Sequence, residues 1–271
     1  MSKKKKLLML SDDMRMPSGV GIMAKKMILG TVDKYDWVQI GGAVKHPEAG
    51  KIFDLSEMIQ KEEGIADASV KVYPVDGYGN EEILREVMSI EGGVDGIIHF
   101  TDPRFWGWLY SMEHELRHTM PIMYYNIWDD LPFPHWNENA YESCDLLMAI
   151  SKQTYNINKN VCVRKPRVEG VDLTYVQHGI DEKEFFPVSK SDSKFVEFKN
   201  GLTQNNVSPE FTLLYNSRNI QRKRASDLVV GYSKFCDALT KEAADKCLLI
   251  LHTDPVDQHG TDLPALVNAL C

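Results

Sequence analysis

Phe211-Thr-Leu-Leu-Tyr-Asn-Ser-Arg-Asn-Ile-Gln-Arg-Lys-Arg-Ala-Ser-Asp-Leu-Val-Val230 reads as a strand, a basic turn and the start of a helix. The apolar run Phe211–Tyr215 has the length and composition of a buried strand. From Ala225 onward, Leu228, Tyr232 and Phe235 recur on one helical face. Arg218, Arg222, Lys223 and Arg224 therefore fall in a strand-to-helix turn. In an open α/β sheet, ligands bind outside the carboxyl ends of the strands. The following helix contributes its N-terminal amides and the positive end of its dipole. The combination suits a diphosphate, and the competing reading is a solvated basic turn.

Upstream, the pattern repeats. Lys6–Leu10 reads as a strand, Ser11–Ser18 as a polar loop, and Gly19-Val-Gly21 opens a helix that runs to about Leu29. Close glycines at a helix start let a ligand approach the backbone, with a simple tight turn as the alternative. The third glycine of the dinucleotide fingerprint is missing. Further strands are expected at Trp37–Ile40 (stopped by Gly41-Gly42), Val70–Tyr73, Asp95–Phe100, Pro121–Tyr125, Asp145–Ile150 and Leu173–Gln177. Asn80 is placed to cap a helix over Glu81–Ser89. Strands alternating with helices predict a parallel, doubly wound α/β sheet. Polar residues gather just after the strands, at Asp12, Asp102, Asp129 and Ser151. Asp102 could serve as a base or hold a substrate hydroxyl, or it could simply cap the helix that follows. Trp106, Trp108, Trp128 and Trp136 lie beside these loops, and aromatic faces suit sugar rings as well as cores. The proline-rich stretch Leu131–Trp136 could line an acceptor cleft.

Bulk properties narrow the class. The chain has 271 residues, is 43% apolar and 26% charged, and carries a formal net charge of −8. It can bury a core, and its acidity argues against a general nucleic-acid coat protein. The five cysteines form no C-x-x-C pair and their number is odd, which fits a reducing cytoplasm. No apolar run is long enough to cross a bilayer. Lys3–Lys6 form a basic lead-in, with weak peripheral contact to anionic lipid as the alternative. His114-Glu-Leu-Arg-His118 matches H-E-x-x-H. No third ligand stands at a family spacing, so a polar helix face is expected and no metal site.

Three separated segments carry a resemblance. His178-Gly-Ile-Asp181 followed by Glu184-Phe-Phe-Pro187 resembles the N-G-V-D…F-x-P segment that ends the N-terminal domain of family-4 retaining glycosyltransferases, with His178 in place of asparagine. The basic turn resembles the family's G-R-x-x-x-x-K-G: Ser217 replaces the first glycine, Arg218 and Lys223 match, and Arg224 replaces the second glycine. Pro17–Gly21 resembles the glycine-containing loop after the first strand.

The resemblance implies a GT-B architecture of two Rossmann-like domains with parallel sheets, the second only partly present. Residues 1–187 would form an acceptor-side domain, 188–210 a linker, and 211–271 the first part of a domain that binds the sugar nucleotide. It implies a metal-independent, hexosyltransferase-like enzyme. Its co-substrate would be a nucleotide sugar, with no other cofactor. The acceptor would be a glycan, a lipid-linked glycan, a protein or, as the one nucleic-acid partner retained, a modified base. Arg218 and Lys223, aided by Arg222, would hold the donor diphosphate and stabilise the leaving nucleotide; fixed cations favour charge that grows as the glycosidic bond breaks. Gly19 and Gly21 would approach the same diphosphate, and Asp102 would act on the acceptor side. A complete second domain needs about 100 further residues and a donor-binding E-x7-E pair, so the chain is expected to be a piece of a longer one, with transfer needing the remainder; completion by a second polypeptide and a shortened form that has lost donor binding are the competing explanations of its length. Two alternatives remain: a non-catalytic scaffold built on the same half-fold, and a Rossmann oxidoreductase. Against the latter, the second strand ends in Gln39-Ile-Gly-Gly42 and lacks an acidic residue for a ribose.

Overall fold

A computed structural model of the chain describes residues 3–43, 45–162, 172–202 and 209–270. The chain divides into two compact units, Met1–Ile180 and Asp181–Cys271. The expected linker overlaps residues 203–208, which lie outside the described ones.

The first unit runs β1 (Lys5–Asp12), α1 (Gly19–Leu29), β2 (Tyr35–Ala43), β3 (Phe53–Asp54), α2 (Ser56–Glu63), β4 (Val70–Asp76), α3 (Glu81–Ile90), β5 (Gly96–Phe100), α4 (Gly107–Ser111), α5 (Glu113–Leu116), β6 (Ile122–Asn126), α6 (Glu138–Glu142), β7 (Leu146–Ala149), α7 (Lys152–Val161) and β8 (Asp172–Tyr175). Its eight strands form one sheet in the order β3-β4-β2-β1-β5-β6-β7-β8. All pairs are parallel except β3 with β4. The α/β class with a parallel sheet is therefore as the alternation of elements implied.

Both faces of this sheet are covered, and that is why β1 is a continuous apolar run. Leu8 and Leu10 pack on one side with Leu84, Leu109, Tyr141 and Ile157 from α3, α4, α6 and α7. Met9 packs on the other with Ala24 and Ile28 of α1 and Ile59 of α2. Each fully buried Leu, Ile or Met among them contributes on the order of 1.5–3 kcal/mol. Asn80 caps α3 as expected, its side-chain oxygen accepting from the Ile83 N–H at 2.9 Å.

Gly41 and Gly42 do not stop β2. The strand continues through both to Ala43, because they are packing glycines. A Cβ on Gly41 would sit 2.8 Å from the Asp13 Cα, and one on Gly42 would sit 2.5 Å from the Gly77 carbonyl oxygen. The two glycines let the β1–α1 loop and the turn after β4 close over the sheet edge. The basic lead-in is also largely spent on the fold. Lys4 pairs with Asp67, Lys5 with Asp95 and Lys6 with Glu91. Three of the four lysines thus have acids of their own, which weakens the case for lipid contact. Among the described residues, no helix is long and apolar enough to cross a membrane.

The second unit contains α8 (Ser193–Leu202), β9 (Phe211–Asn216), α9 (Ala225–Asp237), α10 (Lys241–Ala244), β10 (Cys247–His252) and α11 (Leu263–Leu270). β9 and β10 pair in parallel, from Phe211↔Cys247 to Asn216↔His252. Ala225 and Val229 of α9 and Leu263 of α11 form a small core against Tyr215, Leu249 and Leu251.

Candidate functional site

The opening stretch forms the expected elements: strand to Asn216, a turn containing a short 3-10 segment at Gln221–Lys223, then α9. The strand is not the buried one expected, with Phe211 and Leu214 exposed, and α9 packs inward through Ala225 and Val229 rather than through Leu228, Tyr232 and Phe235. The turn is held from inside by Asn219, which is 1% exposed. Its Nδ2 donates to the Asp254 and Thr261 carbonyls at 3.2 and 2.6 Å, and its Oδ1 accepts from the Thr261 N–H at 3.2 Å. The Gln221 N–H donates to the His259 carbonyl at 3.0 Å. These bonds tie the basic turn to the loop after β10. Between them lies a cleft of about 790 Å³, lined by Arg218, Arg222, Arg224, Gln258 and His259 among others.

The electrostatics of this cleft favour an anion. Arg222 and Arg224 stand just before and at the N-cap of α9. A cation at the positive end of a helix dipole is unfavourable unless an anion joins it. Arg224 is also held at φ 55°, ψ 38°, a left-handed conformation that costs a non-glycine residue about 1–2 kcal/mol. Arg218 is 63% exposed along its side chain and donates through Nε to Asp257 at 2.9 Å. The Asp257 side chain is 8% exposed. The His259 N–H, then the Arg218 guanidinium, hold its carboxyl below the usual range. Asp257 thus aims Arg218, and the two terminal guanidinium nitrogens have no partner among the described residues. Lys223 does not line the cleft; Arg222 and Arg224 stand there instead. Asn219, Asp257 and His259 went unrecognised in the sequence, where nothing links the loop at 254–261 to the turn at 217–224.

In the first unit, the loops after β1 and β5 flank the point where the strand order reverses, the expected ligand crevice of such a sheet. Ser18 caps α1: its Oγ accepts from the Gly21 N–H at 2.9 Å and donates to Asp12 Oδ2 at 2.6 Å. The two glycines therefore differ. Gly21 has its amide taken, and a Cβ there would meet the Asp13 and Met16 carbonyl oxygens at 2.6 and 2.8 Å. It is a packing glycine rather than a phosphate contact. Gly19 faces open space. Gly21→Ala should cost about 1–3 kcal/mol as an overpacked site, whereas Gly19→Ala should stay within about 0.5 kcal/mol. Thermal melts of the two variants check this, and equal melting temperatures would contradict it.

Behind this loop, Asp13 is fully buried. It accepts from Arg15 Nε and Nη2 at 3.1 and 2.7 Å and faces His46 Nε2 at 3.2 Å. Asp13 is the buried hub of these bonds, so this cluster fixes the loop. Asp12 is different: burial pushes its carboxyl up, and the Ser18 hydroxyl offsets part of that. A carboxyl raised in the folded state favours folding below its unfolded pKa, and that advantage fades as pH climbs through the folded pKa. Asp12→Asn should therefore raise the melting temperature more at pH 7 than at about pH 4, near the unfolded value. An equal gain at both pH values would contradict the burial argument.

Asp102 does what a cap does. Its Oδ1 accepts from the Arg104 N–H at 3.0 Å, and the Arg104 guanidinium chelates both carboxylate oxygens at 2.5–3.0 Å. Tyr78 shares this corner. Burial, then the charges of Asp12 and Asp102, push its phenol up, and its ring stacks on Phe105 at 4.8 Å. The H-E-x-x-H stretch forms no shared helical face. α5 ends at Leu116, before His118, and Glu115 is committed to Arg85 through two 2.7 Å bonds.

No protein-family model and no curated protein sequence matches the chain. Among solved structures, the crystal structure of Medicago truncatula UGT71G1 complexed with UDP-glucose is similar over 91% of this chain and 71% of that one, with a TM-score of 0.39 and 10% sequence identity. A likeness this distant carries no chemistry across, so the functional reading rests on the cleft itself.

Proposed function

We propose that the chain is the nucleotide-sugar-binding and acceptor-side part of a GT-B, family-4-like retaining glycosyltransferase. The observation behind this reading is the arginine cleft: three guanidinium groups gathered at a helix N-terminus, one of them on strained backbone and another aimed by Asp257. Arg218 and Arg222 grip the donor diphosphate, and Arg224 extends the grip. Lys223 adds to the positive field beside them without lining the cleft. As the bond to the sugar breaks, charge accumulates on the departing nucleotide, and cations fixed in advance favour that state. Asp102, chelated by Arg104, suits holding an acceptor hydroxyl through a remaining lone pair better than abstracting its proton. Gly19 keeps an open helix start for the ligand side of the first unit. The domain reading places the acceptor side in 1–187 and the donor side from 211 onward.

The test is incubation with a panel of UDP- and GDP-sugars and saccharide acceptors, with the anomeric configuration of the product read by NMR. Transfer with retained configuration supports the reading, and inversion would remove the retaining assignment. Nucleotide-sugar binding that stays without turnover when a complete donor-side domain is supplied would favour a non-catalytic scaffold instead.

A further inference from the structure

A second cavity, of about 400 Å³, lies in the first unit between the 3-10 turn Pro103–Trp106 with α4 on one side and the turn His135–Asn137 with α6 on the other. Its volume falls within the range of small-molecule sites, about 300–1,000 Å³. Trp136 stands on its rim with 62% of its surface exposed, leaving the indole accessible to a ligand. Its ring is braced edge-on by Trp128 at 6.0 Å, and Trp128 is in turn faced by the Arg104 guanidinium at 5.7 Å. Asn137 is 4% exposed and lines the cavity, but its side-chain nitrogen is sealed from solvent and turned toward the Tyr141 hydroxyl, so it belongs to the wall. Asn139 and Ser111 add polar groups along the wall.

Charge decides the ligand class. Arg104 is the one charged residue lining the cavity among the described residues, and Asp102 neutralises it through the chelate described above. A phosphate or carboxylate would find no free cation here. A flat ring or sugar face on the indole, with hydroxyls toward the Asn139 amide and Ser111, would find partners for each group. We propose that this cavity binds a neutral saccharide, with Trp136 as the stacking platform and Asn139 and Ser111 as hydrogen-bonding groups. As an acceptor subsite it deepens the glycosyl-transfer reading and rests on it; the binding itself does not need the donor cleft.

The experiment titrates the full chain with neutral trisaccharides of glucose, mannose, galactose and N-acetylglucosamine, read by tryptophan fluorescence and saturation-transfer NMR, with glucuronic acid and inorganic phosphate as charged probes. At least one neutral trisaccharide should bind. Trp136→Ala, an exposed change that leaves the core intact, should weaken it about tenfold, the loss expected for one stacking ring. Trp136→Phe, which keeps a ring, should restore most of the affinity. No binding by any neutral trisaccharide, affinity indifferent to Trp136→Ala, or preference for the charged probes would each overturn the proposal. Pyrophosphate binding, measured in the same samples, reports the arginine cleft separately. Loss of saccharide binding with pyrophosphate binding intact would overturn only this inference. The converse would overturn only the donor reading.

Discussion

Arg218→Ala combined with Arg222→Ala should reduce affinity for inorganic pyrophosphate by about 10²- to 10⁴-fold. Each charge-assisted hydrogen bond to phosphate is worth about 1.5–3 kcal/mol, and two such losses give that range. Both side chains project into solvent at the cleft, so stability should barely change. Asp257 keeps its bond from the His259 N–H at 2.8 Å when Arg218 is gone. Lys223→Ala is the informative companion. The family resemblance assigns Lys223 to the phosphates, whereas the structure lines the cleft with Arg222 and Arg224. Its loss should cost about 1 kcal/mol or less, as for an exposed charge acting through solvent. Calorimetric titration of the double and single variants separates the two assignments. A larger loss in Lys223→Ala than in the double variant would reverse them.

Gly260→Ala should damage the same site without removing any cation. A Cβ there would lie 2.0 Å from the Asn219 carbonyl oxygen and 2.6 Å from its Oδ1. Neither atom can yield, because Asn219 is buried and bonded on three sides. The loop after β10 must then move off the basic turn, giving up hydrogen bonds worth about 1 kcal/mol each on top of the steric cost. A loss of about 3 kcal/mol or more is expected, with pyrophosphate affinity falling at least tenfold as His259 and Asp257 shift. All five tryptophans precede residue 137 and so belong to the first unit. The denaturation midpoint should therefore fall by circular dichroism while the tryptophan fluorescence midpoint stays. A fall in both, or in neither, would contradict the local account.

How much of this was legible beforehand follows from the kind of signal involved. The parallel sheet was legible because both of its faces are buried, which writes uninterrupted apolar runs such as Leu7–Leu10 into the chain. The strand-turn-helix around Arg218 was legible from the apolar run Phe211–Tyr215 and the four cations marking the turn, although β9 has no buried residue. Asn80 announced its helix through capping chemistry. Gly41-Gly42 misled, because glycine that ends a strand and glycine that admits a neighbouring backbone look alike in sequence. Gly21 was assigned to a ligand for a similar reason, although the carbonyls of Asp13 and Met16 are what its missing side chain accommodates. Arg224 carried a usable hint. It stands where the resembled motif has glycine, and it takes the left-handed backbone that glycine would take easily. Tyr78, Asp257 and Asn219 were invisible because their roles come from loops brought together by the fold, and no local spacing records that.

Recognition of an activated sugar's diphosphate by the arginine cleft is the premise of the proposed function. The most direct measurement is calorimetric titration of the full chain with UDP- and GDP-sugars in the presence and absence of inorganic pyrophosphate. We expect at least one nucleotide sugar to bind, pyrophosphate to compete with it, and affinity to fall as salt rises. Absence of heat with every nucleotide sugar, or binding that pyrophosphate leaves untouched, would contradict the account.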